Sequence, residues 1–129
     1  MKYLLYLFFL AIIGCSSYTI SNESFVSQIK ENQDMSRTHT IASVGTGYNA
    51  NTLTKIKCLD KKGNEVNVHP DKNTTFQITN SQTGKSLTLY YDTVYISGDS
   101  IVGLKSRILG GKRSIALADV GSITVKTEN

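Results

Sequence analysis

From residue 53 to residue 125 the apolar side chains recur at every second position in short runs, and turn-forming residues cut each run. Successive side chains of a strand point to opposite faces, so period two marks strands with one buried face. Ile56 and Cys58 alternate with Lys55 and Lys57, and Val66 and Val68 with Glu65, Asn67 and His69. Phe76 and Ile78 alternate with Thr75, Gln77 and Thr79, and Leu87, Leu89 and Tyr91 share one side of the next run. Val94 to Ile96, Ile101 to Leu104, Ile115 with Leu117, and Ile123 with Val125 complete the series. Residues 60–64, 81–85, 97–100 and 109–112 carry the glycines and polar residues that turns require, and Pro70 ends the run before it. The expectation is an all-β domain: a small meandering β-barrel or β-sandwich of about six to seven short strands. Gly103 inside a run predicts a bulge or a bend.

The chain opens MKYLLYLFFLAIIGC. Lys2 gives a short positive start, residues 4–13 are apolar apart from Tyr6, and the polar run SSYTISNES follows Cys15. This is the three-part layout of a secretion signal. It is shorter than the roughly 20 apolar residues that a spanning helix needs. Ile12, Ile13, Gly14 and Cys15 resemble the lipobox of bacterial lipoproteins, with Ile where Leu is the commoner residue. The resemblance implies diacylglycerol on the Cys15 thiol, cleavage before Cys15 and acylation of the new amine by a palmitate-type chain. It makes the membrane a partner through the lipid anchor and places the protein in the cell envelope. Ser16 stands where an Asp would resemble an inner-membrane retention signal, which favours the outer membrane.

Three parts follow: a signal peptide at 1–14, a lipidated N-terminus and polar tether at 15–52, and a β domain at 53–129. The tether is rich in Ser, Thr and Asn, and its start is expected to be disordered. Within it Phe25, Val26 and Ile29 fall on one side at helical spacing and predict a short helix over 22–34, with Ser21 as its cap. Such a short helix needs a surface to pack on. Residues 37–44 permit a strand, and Gly45-Thr46-Gly47 ends it.

Composition narrows the function. Lys and Arg total 14 against 10 Asp and Glu, a basic excess too small and too dispersed for a nucleic-acid domain. With two cysteines, one of them the predicted lipid site, no disulfide scaffold is available, and Cys58 reads as a small buried apolar residue. The segments DTVYISGDSIVG and IALADVGSITV, within residues 76–125, resemble a theme in small uncharacterised β-rich lipoproteins of the Bacteroidota. That resemblance implies a fold pattern and carries no activity.

Catalytic chemistry finds little footing. The only imidazoles are His39 and His69; a Cys58–His69 pair across a hairpin would set a buried residue against a solvent-facing one. Asp92, Asp99 and Asp119 lack ligand-loop spacing, so no metal and no cofactor is expected. The candidate contact surface is Tyr95 with the basic side chains Lys105, Arg107, Lys112 and Arg113 around the Gly110-Gly111 turn. Exposed tyrosines and long cationic side chains suit protein faces, glycans and acidic headgroups. The sequence thus points to a lipid-anchored, non-enzymatic interaction or structural module whose partner is an envelope protein or glycan. Its rivals are a small-ligand or glycan-binding lipoprotein and a small envelope hydrolase.

Overall fold

A computed structural model of the chain describes residues 15–33, 50–106 and 111–128. The leader expected at 1–14, the strand expected over 37–44, His39 and Arg107 lie outside the described residues. Nine strands and one helix are seen among those described: β1 (Cys15–Ile20), α1 (Asn22–Asn32), β2 (Ile56–Leu59), β3 (Glu65–Val68), β4 (Thr75–Asn80), β5 (Ser86–Tyr90), β6 (Tyr95–Ser97), β7 (Ser100–Leu104), β8 (Lys112–Ala116) and β9 (Val120–Glu128). They form a six-stranded sheet in the order β3-β2-β1-β9-β4-β5 and a three-stranded sheet in the order β6-β7-β8. The domain is mostly β and resembles a small sandwich.

The alternating runs form strands as expected. Ile56 and Cys58 of β2, Phe76 and Ile78 of β4, and Ile123 and Val125 of β9 are all buried. Glycines at positive φ close three of the turns, at Gly63, Gly84 and Gly98, where a side chain would be strained.

The barrel expectation is corrected. Among the described residues the large sheet ends at β3 on one side and β5 on the other, and β6 pairs only with β7. The meander breaks after Tyr90, where the chain takes a 3-10 turn over Tyr91–Thr93. Side chains hold it there. Asn51 donates through its amide to the Tyr91 carbonyl at 2.7 Å and to the Val94 carbonyl at 2.9 Å. The buried Thr93 hydroxyl donates to the Tyr90 carbonyl at 2.8 Å and accepts from the Leu104 amide at 2.9 Å. These bonds divert the chain into a second sheet.

Residues 15–33, expected within a tether, are structured. β1 pairs with β9 along its whole length, from Cys15 opposite Glu128 to Ile20 opposite Ile123. α1 begins after Ser21, whose side chain accepts from the Ser24 amide at 3.1 Å. Phe25 and Ile29, one turn apart, are its buried residues. Phe25 meets Phe76 of β4 edge to face, with centroids 4.9 Å apart and planes at 90°, a favoured aromatic arrangement.

Gly103 adopts no bulge, since β7 and β8 pair in unbroken register from Ser100–Ala116 to Leu104–Lys112. It serves close approach instead. A methyl group there would sit 3.0 Å from Leu89 Cδ1 and 3.1 Å from Val94 Cγ2. The bare backbone of β7 thus lets the small sheet settle on β5. The register irregularity falls elsewhere, between Thr79 and Asn80 where β4 meets β9.

Two substitutions test this packing. Phe25→Ala should lower stability by about 3–5 kcal/mol, the usual cost of emptying an aromatic core site. Gly103→Val should cost about 1–3 kcal/mol by overpacking. Urea unfolding of the full chain followed by circular dichroism would measure both.

Candidate functional site

The small sheet brings part of the predicted contact surface together. Tyr95 opens β6 opposite Val102, which lies opposite Ser114 of β8. Lys112 sits two residues before Ser114, on the same face, and its Nζ lies 6.0 Å from the centroid of the Tyr95 ring. That is the outer limit of a cation–π contact. Leu104 and Ala50 pack beneath Tyr95 as a small apolar cluster separate from the main core. The visible surface is therefore an amphipathic ring with a cation beside it.

The other basic residues are not gathered with them. Arg113 is adjacent to Lys112 in β8, so its side chain leaves by the opposite face of the sheet. Its guanidinium Nη1 donates to the Lys112 carbonyl at 3.0 Å. Lys105 is exposed beyond the end of β7, and its backbone amide donates to the Gly111 carbonyl at 3.1 Å. Strand alternation splits what looks in sequence like one basic strip. Arg107 lies outside the described residues, and so does the Cys15 side chain, although Cys15 is placed as the first residue of β1.

Cys58 and His69 are not brought together. Cys58 lies opposite Val66, three residues short of His69, so about 10 Å of strand separates them. The thiol is buried and donates to the Ile56 carbonyl at 3.7 Å. The exposed His69 ring contacts the Thr54 carbonyl through Nδ1 at 3.3 Å. Burial alone pushes the Cys58 thiol up from 9.0 to about 11, the reverse of an activated nucleophile. Asp92 and Asp119 are at the 3-10 turns, where their backbone carbonyls accept from Ala50 and Ser81 amides at 2.7 and 2.8 Å. Among the described residues no three His, Cys, Asp or Glu gather as a metal site.

A shallow cleft of about 160 Å³ lies where the end of β1, the start of α1 and the β2–β3 hairpin meet. Ser21, Ser24, Lys57, Cys58, Leu59 and Glu65 line it. Ser24 Oγ accepts from Gln28 Nε2 at 2.9 Å, and Lys57 faces Glu65 at 3.8 Å across the exposed rim. Its volume is below that of ordinary small-molecule pockets. Beyond it, Asp60 closes the β2–β3 turn. The backbone amide of Asn64 donates to its carboxylate at 2.9 Å and lowers its pKa, and the Lys62 amide adds a second bond at 2.9 Å.

Three side chains that the sequence did not single out have more structural effect than the predicted surface. Gln28 Oε1 accepts from the Lys57 amide and its Nε2 donates to the Lys57 carbonyl, both at 2.9 Å. Gln33 Oε1 accepts from the Ile96 amide at 2.8 Å and its Nε2 donates to the Ile96 carbonyl at 3.2 Å. Each primary amide copies the donor and acceptor of a peptide group, so each stands in for a strand residue at a sheet edge. Asn51, already described, is the third. Amides in a Ser/Thr/Asn-rich stretch carry no sequence signal that separates them from solvated ones.

No known protein family, curated protein or solved structure matches the chain.

The buried thiol gives a pH prediction. Below pH 9 Cys58 is neutral in both states, whereas between 9 and about 11 only the unfolded chain loses the proton. The contribution of Cys58 is therefore full below pH 9 and declines as pH rises toward 11. Urea midpoints measured from pH 8 to 11 should fall less steeply for Cys58→Ala than for the parent.

Proposed function

We propose that the chain is a lipid-anchored interaction or structural module of the cell envelope, without catalytic activity. In this reading it is cleaved before Cys15, acylated there, and held at the outer membrane. One observation carries it: a basic start, an apolar run over residues 4–13 and the stretch Ile12-Ile13-Gly14-Cys15 follow one another in the order of a lipoprotein leader. Two acyl chains would then anchor the domain, since each buried methylene contributes about 0.8 kcal/mol.

The location of β1 changes the expected geometry of anchoring. Ser16 is already paired with Thr127, and Ser17 with Lys126. A domain acylated at Cys15 would rest against the headgroups at that end of the sheet, with no flexible leash between lipid and fold. The contact surface in this reading is Tyr95 with Lys112, an aromatic ring and a cation that suit an acidic protein face or a glycan. Confinement near the membrane raises the local concentration of envelope partners, so a small surface suffices.

Two outcomes test the reading. Metabolic labelling with an acyl-chain precursor should mark the native protein and leave Cys15→Ala unmarked and unprocessed. An unmodified mature first residue, read by mass spectrometry, would overturn it. Changing Lys112 to Gln should leave folding within about 0.5 kcal/mol of the parent. The same change should reduce the envelope partners recovered by crosslinking at low salt.

A further inference from the structure

The two hairpins of the large sheet are joined to its centre very unequally. β4–β5 lies against β9 from Thr75 opposite Lys126 to Asn80 opposite Val120. β2–β3 lies against β1 through a single pair, Thr19 opposite Leu59. Beyond that pair β2 meets α1 in place of a strand, and the two bonds between the Gln28 amide and Lys57 do the work of a ladder. Leu59, within the pair itself, is an exposed large apolar side chain. The seam is also incompletely filled. The shallow cleft runs along it, with Thr19, Ser21 and Ser24 on one wall and Cys58, Leu59 and Glu65 on the other.

Fixed points bound the stem of this hairpin. On one side the Leu53 amide donates to Asn51 Oδ1 at 3.1 Å. On the other the Asp71 amide donates to Thr74 Oγ1 at 3.0 Å, and the Thr74 hydroxyl donates to Thr127 of β9 at 3.4 Å. Between these points Thr54, Lys55 and His69 are exposed. The His69 ring meets the Thr54 carbonyl at 3.3 Å, which ties the two stems to each other rather than to the sheet. The hairpin is therefore a unit with its own ladder, from Ile56 opposite Val68 to Leu59 opposite Glu65. Its inward hold is the burial of Ile56, Cys58 and Val68.

We infer that the β2–β3 hairpin is a hinged flap, which leaves β1 and α1 as one unit while the rest of the large sheet stays paired, and that Gln28 is its latch. Local openings follow supersecondary units and need less free energy than global unfolding. This one parts the Thr19–Leu59 pair and the two Gln28 bonds. The ladders among β1, β9, β4 and β5 are untouched. α1 stays seated, through Phe25 on Phe76 and through Gln33 on Ile96. Opening bares the Cys58 thiol and the Ile56 and Val68 side chains, and it widens the cleft along the seam. The inference does not rest on the lipid anchor.

Slow alkylation of Cys58 by dilute iodoacetamide tests it, in the folded full chain at one pH in a non-ionic detergent. Mass spectrometry of the fragment carrying Cys58 gives the rate. Well below the urea midpoint the parent rate should be nearly independent of urea, because a local opening exposes little surface. Gln28→Ala should speed alkylation roughly 30-fold, the effect of losing two hydrogen bonds. Gln33→Ala removes the matching pair of bonds from the small sheet, so it should lower the urea midpoint and leave the alkylation rate unchanged. Should either variant fail to fold, the urea dependence of the parent decides the matter. A parent rate that climbs with urea as steeply as global unfolding, or a rise for Gln33→Ala equal to that for Gln28→Ala, would overturn the inference.

Discussion

The six-stranded sheet depends on one strand that is paired on both sides. β9 bonds to β1 along one edge and to β4 along the other, antiparallel in each case. Its inward residues Ile123 and Val125 sit opposite Ile20 and Tyr18 on one side and Ile78 and Phe76 on the other. Where the two ladders overlap, from Ile123 to Lys126, the strand has no exposed backbone to solvate, and its apolar side chains reach the core from the middle of the layer. The hairpins β2–β3 and β4–β5 attach on either side of this unit. Neither has enough buried face to persist alone, since an isolated two-stranded hairpin is marginal in water.

α1 joins the two sheets by chemistry as well as packing. Phe25 and Ile29 seat it on the core, but Gln28 and Gln33 fix its direction. One amide bonds the large sheet at Lys57 and the other bonds the small sheet at Ile96, at matching donor and acceptor geometry. A helix held by apolar contacts alone could slide along its stripe. Paired hydrogen bonds at two separate strands oppose that sliding, because it would break four bonds together, each worth about 1 kcal/mol. The buried polar side chains are satisfied within the fold. Thr74 joins Asp71 and Thr127, Thr93 joins Tyr90 and Leu104, and no buried side-chain polar atom is left without a partner among the described residues.

What could be read in the sequence was the part governed by local pattern. Period two placed Ile56, Cys58, Phe76, Ile78, Ile123 and Val125 on the buried side correctly, and helical spacing found α1. β1 was not legible. CSSYTI is polar enough to pass for a linker and is a strand because β9 offers it a ladder, which is a tertiary effect on propensity. Nor was the break between the sheets legible, since it depends on Asn51 reaching residues 40 and 43 positions away. Gly103 was marked as special, but its reason was the approach of Leu89 and Val94 rather than a bulge. Of the candidate surface, Tyr95 and Lys112 lie side by side. Counting basic residues missed the alternation that sends Arg113 to the other face.

The pairing of β1 with β9 also sets when this domain can fold. Cys15 finds its partner at Glu128, so the first strand must wait for almost the whole chain to be made. Until then its own residues and the inner edge of β4 are both open. Closing so long a loop before any reward arrives slows folding and leaves few stable partial forms. The same arrangement makes the last strand indispensable. A chain stopped short of residue 120 would retain its hairpins, yet it would have nothing to join them, and its apolar strands would lie open to other chains.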